Sequence, residues 1–199
     1  LADVPAVEVT GGCFCCNYND LNQQLIWLVD KVRPDVIFAE SVGSCADIVA
    51  TVVKPLLTFG DKRIQPKTFS VFADSRLLLR RVKGLTLPFS EDVVYIFDKQ
   101  VEEAGLLVLN KMDLLSEPEK KELAKWANGR EDNGRWRFQN SLTGESVAEW
   151  VEALQSGEVS LPEAVLEIDY ERYGKGEARM AWLDGHCLCH FQRVEAGRY

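Results

Sequence analysis

Three cysteines stand within four residues near the start of the chain, where the run G-G-C-F-C-C contains Cys13, Cys15 and Cys16. Thiolates are soft ligands that suit zinc and other thiophilic ions. The two glycines that precede the run allow the backbone turn that three thiols need to converge on one ion. With only three thiols in the run, water, another residue or another subunit must supply a fourth ligand. An open position favours an exchangeable metal, because structural zinc sites are closed by four protein ligands.

Two other interpretations of this run stay open. Free cysteines are common in protein cores, where they behave as small apolar side chains. Neighbouring thiols can also form a disulfide, which is the chemistry of a redox sensor. The cysteines of the whole chain are clustered, and such clusters in an α/β protein favour metal or redox chemistry over structural disulfides. They are Cys13, Cys15, Cys16, Cys45, Cys187 and Cys189.

A second polar motif, N-K-M-D at residues 110–113, directly follows the apolar run at residues 106–109. The carboxylate of Asp113 can accept hydrogen bonds from the N1–H and the N2 amino group of guanine, which adenine does not offer. Discrimination based on buried hydrogen bonds is large, because the wrong base leaves polar groups unpaired. Asn110 can bind the other edge of the purine or tie neighbouring loops together, and the stem of Lys111 can cover a ring face. Four letters alone are also compatible with an ordinary polar turn.

A second loop strengthens the guanine interpretation. Residues 139–144 read Q-N-S-L-T-G, follow a predicted strand and open a predicted helix. They resemble the S-A-L-T-G-type loop that lies one strand after N-K-x-D in guanine-nucleotide-binding proteins. Ser141 and Leu142 take the S-A positions. Two such loops in the right order are more specific than either motif alone.

The elements that must position these motifs alternate between strand and helix along the chain. Apolar runs and period-two patterns predict strands at residues 4–9, 35–39, 67–73, 106–109 and 136–138. Helical spacing predicts helices at residues 20–32, 47–57, 75–82, 91–103, 117–127 and 145–154. Asp20, Ser90 and Thr143 are the predicted N-caps of three of them, and Pro55 should disturb the end of the second. The fold class is therefore α/β, an open and mostly parallel sheet with helices on both faces. Ligands of such sheets bind beyond the carboxyl ends of the strands.

Composition limits the partners. The 199 residues are 46% hydrophobic and 27% charged, which is typical of a globular protein. The net charge is −8 and no basic cluster stands out, so we expect no nucleic-acid partner. No apolar stretch approaches the length of a membrane span, and no signal peptide is visible, so we expect a cytoplasmic protein without a membrane partner.

The motifs occur in the order found in CobW-type GTPases, which are relatives of the urease and hydrogenase nickel-insertion GTPases. Residues 12–16 match the family's G-C-x-C-C. Residues 40–43 match its E-x-x-G, in which Glu40 stands at a predicted strand end. Residues 97–104 resemble its F-x-x-Q-x-x-x-A helix, and N-K-x-D follows directly. Residues 69–74 resemble its central strand, and residues 167–183 resemble the linker into its second domain, so the resemblance covers nearly the whole chain.

This resemblance implies a P-loop GTPase-like fold and a function. The protein would bind GTP and Mg²⁺ and couple GTP hydrolysis to the delivery of Zn²⁺, cobalt or another thiophilic divalent metal to a client metalloprotein. Glu40 would be the catalytic carboxylate, near the magnesium ion and the γ-phosphate. The metal would bind Cys13, Cys15 and Cys16. The guanine contacts would come from Asn110, Lys111, Asp113, Ser141 and Leu142. Partners would be the nucleotide, the metal, the client and a second copy in a homodimer.

The resemblance also implies a domain division. Residues 1–160 would be a partial GTPase domain, and residues 161–199 the linker and the start of a C-terminal domain. The family's G-x-x-G-x-G-K-[ST] phosphate-binding loop is not found in these 199 residues. We expect a chain truncated at its N-terminus, which alone binds nucleotide poorly and is not an active GTPase. The alternative is a non-catalytic metal-binding or thiol redox protein derived from the family.

One further cluster lies outside the family pattern. Residues 185–190 read G-H-C-L-C-H, with two histidines and two cysteines in five residues. Alternation along a strand would place both cysteines on one face and the histidines on the other. Local metal binding and an ordinary strand or chain end both remain open.

Overall fold

The computed structural model describes residues 4–130, 135–162 and 165–180. The helices are α1 at Tyr18–Lys31, α2 at Lys54–Phe59, α3 at Ser75–Val82, α4 at Glu91–Glu103, α5 at Glu117–Asn128, α6 at Val147–Gln155 and α7 at Tyr170–Glu177. The strands are β1 at Ser70–Asp74, β2 at Leu106–Asn110 and β3 at Arg135–Phe138. A π-helical turn, Val49–Val53, precedes α2, and a 3-10 turn, Met112–Leu114, follows β2.

The described strands form one parallel sheet in the order β1-β2-β3. Asp74 of β1 lies opposite Asn110 of β2, and Phe138 of β3 lies opposite Leu109. The central strand β2 is apolar until its last residue, and residues 106–109 are at most 1% exposed. A strand covered on both faces requires such a continuous apolar run. The parallel register brings the carboxyl ends of all three strands to the same edge of the sheet.

Helices cover both faces of this sheet. On one face Leu107 and Leu109 pack with buried residues of α3 and α5, among them Leu78 and Leu123. On the other face Leu106 and Val108 pack with α6 through Ala153, Trp150 and Leu154. This arrangement confirms the predicted fold class, an open parallel α/β sheet with helices on both faces.

Local signals placed the central helices correctly. Helices α3 and α4 have the predicted bounds, and α5 ends one residue later than predicted. Asp74 caps α3, because its side chain accepts a hydrogen bond from the backbone N–H of Arg76. Ser116 and Glu119 form a reciprocal capping box at the start of α5. Such caps satisfy backbone N–H groups that the helix itself leaves unpaired.

Two predicted helix starts were wrong. Helix α1 begins at Tyr18, before the predicted cap Asp20. Helix α6 begins at Val147 after Ser146, which has a left-handed backbone with φ 62°, so Thr143 is not its cap. The side chain of Asn140 accepts hydrogen bonds from the backbone N–H groups of residues 142 and 143. These bonds fold the preceding residues into a tight loop and delay the helix.

The prediction for residues 47–57 was right about a helix and wrong about where proline acts. The helix continues to Phe59, four residues beyond Pro55, and the irregularity comes before the proline as the π turn. A proline ring clashes with the carbonyl four residues earlier in a regular α-helix. The wider π turn moves that carbonyl away, which lets the helix pass the proline.

The predicted strands at residues 4–9 and 35–39 are not strands in the structure, and β1 begins at Ser70 rather than residue 67. Val36 and Phe38 are 59% and 68% exposed, so residues 35–39 are not buried on both faces. A strand needs a neighbouring strand for its hydrogen bonds, and among the described residues neither segment joins a ladder. The apolar pattern carries no information about whether a partner is available.

Helix α7, the last described element, packs against α4. An added Cβ at Gly176 would lie 2.7 Å from the carbonyl oxygen of Asp92, so this contact is close. Residues 181–199 lie outside the described residues, so the division at residue 160 stays a prediction. Within the described part of the chain, no helix combines the length and apolarity that crossing a membrane requires.

Candidate functional site

The three predicted metal-binding thiols meet at one point. The carbonyl oxygen of Cys13 accepts hydrogen bonds from the backbone N–H of Cys16 at 3.1 Å and of Asn17 at 3.0 Å, so residues 13–17 turn back on themselves. The Sγ atom of Cys13 lies 2.8 Å from that of Cys15 and 3.3 Å from that of Cys16. The Sγ atoms of Cys15 and Cys16 are 3.9 Å apart. Sulfurs bound to one tetrahedral zinc ion are about 3.8 Å apart, so a small spreading would admit an ion.

These thiols ionise unequally. Burial acts to raise the pKa of Cys13, but hydrogen bonds from the Cys15 thiol and the Cys16 backbone outweigh it, and the pKa of Cys13 is lowered. Burial and the neighbouring Cys13 raise the pKa of Cys15. The hydrogen bond with Cys13 is the main cause that raises the pKa of Cys16. Cys13 is therefore the first of the three to become a thiolate, the form that binds metal and attacks electrophiles.

A fourth cysteine that the sequence analysis did not assign lies beside this group. Cys45 is 7% exposed and belongs to the same apolar cluster as Cys13 and Cys15. Its thiol interacts with the Cys13 thiol, although it lies outside the 4.8 Å that contains the other three sulfurs. Burial, with the nearby Cys13 thiol, raises the pKa of Cys45 to about 12. Sequence spacing could not reveal this approach, because residues 17–44, which include helix α1, separate Cys45 from Cys16.

Contacts from α4 and α7 hold the backbone around Cys45. The amide nitrogen of Gln100 donates hydrogen bonds to the carbonyl oxygens of Gly43 and Cys45, both at 2.9 Å. The hydroxyl of Tyr173 donates to the carbonyl oxygen of Ser44 at 3.3 Å. The hydroxyl of Tyr170 donates to the carboxylate of Asp47. Residues 43–47 thus depend on side chains of two helices for their position, rather than on a strand ladder.

Glu40, the predicted catalytic carboxylate, lies in the same cleft as the thiols. A cleft of about 400 Å³ opens between residues 6–9, helix α1 and residues 37–42, and both Cys13 and Glu40 line it. Glu40 is exposed, and it makes no hydrogen bond or ion pair within the described ranges. Its carboxylate oxygens are available to a cation or to water. The structure therefore brings a predicted metal ligand and the predicted catalytic residue to one cavity.

The two predicted guanine loops, residues 110–113 and 139–144, are linked at the ends of β2 and β3. The side-chain oxygen of Asn110 accepts a hydrogen bond from the backbone N–H of Ser141 at 3.0 Å. The hydroxyl of Ser75 donates to the carbonyl oxygen of Asn110 at 2.6 Å. The backbone N–H of Met112 donates to the carbonyl oxygen of Gln139 at 3.2 Å. Asn110 thus ties the two loops together, one of the roles that its position in the motif allows.

The side chains around these loops leave one carboxylate available. Lys111 has a left-handed backbone, φ 60°, and its ammonium group pairs with Asp74 at 2.9 Å. Arg76 and then Lys111 hold the pKa of Asp74 well below its usual range, against the opposing effect of burial. Asp113 is exposed and makes no hydrogen bond or ion pair among the residues described here. Leu142 is 92% exposed. An exposed apolar side chain and an unengaged carboxylate at one loop pair suit a planar, hydrogen-bonding ligand.

The predicted site residues therefore form two groups. Cys13, Cys15, Cys16 and Glu40 lie at or beside one cleft, and the guanine loops occupy the carboxyl edge of the sheet. A separate cleft of about 390 Å³ between α3, α4 and α5 contains none of the predicted residues. The histidines and cysteines of residues 186–190 lie outside the described residues.

Comparison with protein families identifies the domain. Residues 2–135 match the family model of the CobW/HypB/UreG nucleotide-binding domain. The match covers more than half of the chain, and the chain belongs to this family. Comparisons with curated proteins and with solved structures gave no match.

Proposed function

We propose that this member of the CobW/HypB/UreG family binds GTP and couples its hydrolysis to the delivery of a thiophilic divalent metal, zinc or cobalt, to a client metalloprotein. The observation that carries the proposal is the cleft that Cys13 and Glu40 share. A cargo ion on the thiols would lie in the same cavity as a carboxylate suited to nucleotide hydrolysis. A change at one ligand can then alter the affinity for the other, which is the thermodynamic content of coupling.

The cargo half of the proposal rests on the thiol geometry. Cys13, Cys15 and Cys16 have sulfurs within 4.8 Å of one another, and Cys16 is exposed. Thiolate ligands select zinc and similar ions over magnesium or calcium. An exposed ligand gives a client's own ligands a point of attack, so that the ion can move by stepwise ligand exchange.

The nucleotide half rests on the guanine loops. Asp113 has an unengaged carboxylate for the N1–H and N2 amino group of guanine, while Asn110 and Ser141 hold the two loops together. Because the loop pair is already fixed by hydrogen bonds, less ordering is needed when the base binds. We assign base selection to Asp113 and loop positioning to Asn110.

Magnesium fits the cleft on chemical grounds, since Glu40 offers an unpaired carboxylate and Mg²⁺ prefers oxygen ligands. Glu40 would hold the ion through one of its water ligands or orient the water that attacks the γ-phosphate. Bound Mg²⁺ would neutralise charge that develops on the phosphate oxygens.

A thiol redox role is the second candidate, because the 2.8 Å between the sulfurs of Cys13 and Cys15 and the lowered pKa of Cys13 also suit oxidation. Oxidation would join two thiols as a disulfide with loss of two protons and two electrons to an oxidant such as a peroxide. Counting free thiols before and after peroxide treatment, with and without zinc, separates the two roles. Protection by stoichiometric zinc supports the cargo role.

The experiment that tests the proposal measures zinc affinity with and without GTP in the gene product that contains this chain. We expect GTP and zinc each to change the other's dissociation constant by the same factor, about 5- to 150-fold. Glu40→Gln should lower the hydrolysis rate about 100-fold with little change in GTP affinity. Glu8→Gln, in the same cleft, is the matched control and should hydrolyse GTP normally. Equal hydrolysis rates in both variants would remove Glu40 from the mechanism, and equal zinc affinities with and without GTP would remove the coupling.

A further inference from the structure

We propose that Cys45 is the fourth protein ligand of the metal site, so that the bound ion is held by Cys13, Cys15, Cys16 and Cys45. This inference rests on the cargo half of the proposed function. Tetrahedral zinc needs four ligands, and the thiol loop supplies three. Cys45 reaches the loop from a distant part of the sequence and packs in the same apolar cluster as Cys13 and Cys15.

The burial of Cys45 fits a ligand that closes the site. Cys13 and Cys15 are partly buried and Cys16 is exposed, whereas Cys45 is 7% exposed. The four sulfurs thus run from the solvent into the apolar cluster around Leu21, Ile48 and Val52. An ion among them would be reachable from the Cys16 side and covered on the Cys45 side. Each Zn–S bond replaces an S–H bond, and the proton leaves to solvent.

The backbone of Cys45 is fixed in a way that suits a ligand. Its N–H donates to the carbonyl oxygen of Val42 at 2.9 Å, and its carbonyl oxygen accepts from Gln100 at 2.9 Å. With both backbone groups engaged, the side chain approaches the thiol loop at little further entropic cost. Binding the ion would require the Cys45 side chain to move toward the thiol loop, since its sulfur lies outside the group of three that are within 4.8 Å of one another.

A carboxylate, that of Glu177, is another candidate for the fourth ligand position. Glu177 of α7 interacts electrostatically with Cys16 and Cys45, and its Oε1 atom is buried without a hydrogen-bond partner in the described part of the chain. We assign the fourth position to Cys45, because zinc favours thiolate in a thiolate-rich shell and the Cys45 thiol interacts with that of Cys13. Glu177 is then the alternative that the experiment must exclude.

The position of Cys45 near Glu40 would link the metal–Cys45 bond to the state of the nucleotide. Cys45 follows Glu40 by five residues and lies just beyond residues 37–42, which line the shared cleft. Movement of this segment on nucleotide binding or hydrolysis would draw Cys45 toward the ion or away from it. A site with four thiolates retains zinc, and one with three thiolates and an open position exchanges it. The fourth ligand would thus connect the state of the nucleotide to the release of the cargo.

The test uses the 199-residue chain in its reduced form with the metal alone. X-ray absorption of the zinc complex should show four sulfur neighbours at about 2.3 Å. Cys45→Ser and Cys45→Ala should each weaken zinc binding by more than about 100-fold, beyond what loss of an outer-shell partner costs. In the cobalt complex both should reduce the sulfur-to-metal charge-transfer absorption by about a quarter, since that absorption scales with the number of bound thiolates.

Controls separate this inference from the proposed function. Glu177→Gln and the Cys187→Ser/Cys189→Ser double variant should bind zinc as the wild type does. Three sulfurs with one oxygen in the absorption spectrum, together with weak binding by Glu177→Gln, would overturn the assignment to Cys45 and leave the cargo role intact. If replacing Cys13, Cys15 and Cys16 by Ser leaves the stoichiometry unchanged, the cargo site itself is elsewhere. The spectrum of the wild-type complex counts the sulfur and oxygen neighbours of the ion even where a variant fails to fold.

Discussion

The guanine loops and the thiol cleft are positioned by different means. The loops follow β2 and β3, whose parallel ladder fixes their starting points, and Asn110 ties one loop to the other. The thiol cleft is bounded by residues 6–9 and 37–42, which pair with no described strand. Its Cys45 side is held by side chains of α4 and α7. A region held by a few side-chain contacts can change its arrangement at low cost, whereas a region built on a buried ladder cannot.

This difference suits the two proposed tasks. Base recognition needs fixed hydrogen-bond groups, since a displacement of the loop would leave the base unpaired. Cargo exchange needs two arrangements of comparable free energy, one that retains the ion and one that releases it. Ordinary ladder pairing at residues 37–42 would hinder the second task.

The largest expected effect is on folding stability, and it contrasts the ladder with the unpaired segment. Leu107 is 1% exposed in β2, and Phe38 is 68% exposed beside Trp150. Leu107→Ala should lower the free energy of unfolding by about 2–5 kcal/mol, because it leaves a cavity in the core. Phe38→Ala should lower it by less than about 1 kcal/mol. Urea denaturation measures both. Comparable losses would mean that residues 35–39 are packed as firmly as the sheet.

The next effect concerns base choice at the fixed loops. Asp113→Asn in the gene product should shift preference from GTP toward XTP by about 100-fold or more, because an amide can donate to the C2 carbonyl of xanthine and a carboxylate cannot. Competition binding with GTP, XTP and ATP measures this preference. Zinc affinity and thermal stability should stay unchanged, since Asp113 makes no hydrogen bond or ion pair within the described residues. An unaltered ratio of GTP to XTP affinity would remove Asp113 from base recognition.

The smallest expected effect concerns the ion pairs that Asp74 forms with Arg76 and with Lys111 of the first guanine loop. Arg76 and Lys111 lower the pKa of Asp74 in the folded chain, so the paired carboxylate stabilises the fold above its unfolded pKa of about 3.9. That contribution disappears as pH falls from about 5 toward the folded pKa. Both cations are about half exposed, with 51% of each side chain accessible, so the contribution is at most about 1 kcal/mol.

Asp74→Asn keeps the helix cap and removes the charge, so the stability difference from wild type should shrink between about pH 6 and about pH 3. Asp74→Ala removes the cap as well and should cost about 1 kcal/mol more at either pH. Thermal unfolding across this pH range measures both. A difference that does not depend on pH would show that the ion pairs with Arg76 and Lys111 contribute nothing.

Much of the structure around the parallel sheet could be predicted from the local sequence. The apolar run at residues 106–109 predicted a strand buried on both faces, and the bounds of α3 and α4 were predicted from helical spacing. The hydroxyl of Ser90, the predicted cap of α4, makes no capping hydrogen bond. The position of N-K-M-D at the carboxyl end of β2 also followed, because a motif next to a strand must lie at that strand's end. The convergence of Cys13, Cys15 and Cys16 could also be predicted, because three thiols within four residues cannot lie far apart in space.

Tertiary structure alone decided the rest, because these features depend on partners distant in sequence. The apolar alternation at residues 4–9 and the apolar run at residues 35–39 are both typical of strands, but a strand exists only where another strand accepts its hydrogen bonds. The start of α6 depended on how Asn140 closes its loop. The approach of Cys45 to Cys13 required the chain after helix α1 to return to the thiol loop. Hydrogen bonds from Gln100 and Tyr173 hold residues 43–45 there. Local rules fix residue type, turn and cap, whereas the packing of helices determines which distant side chains share a site.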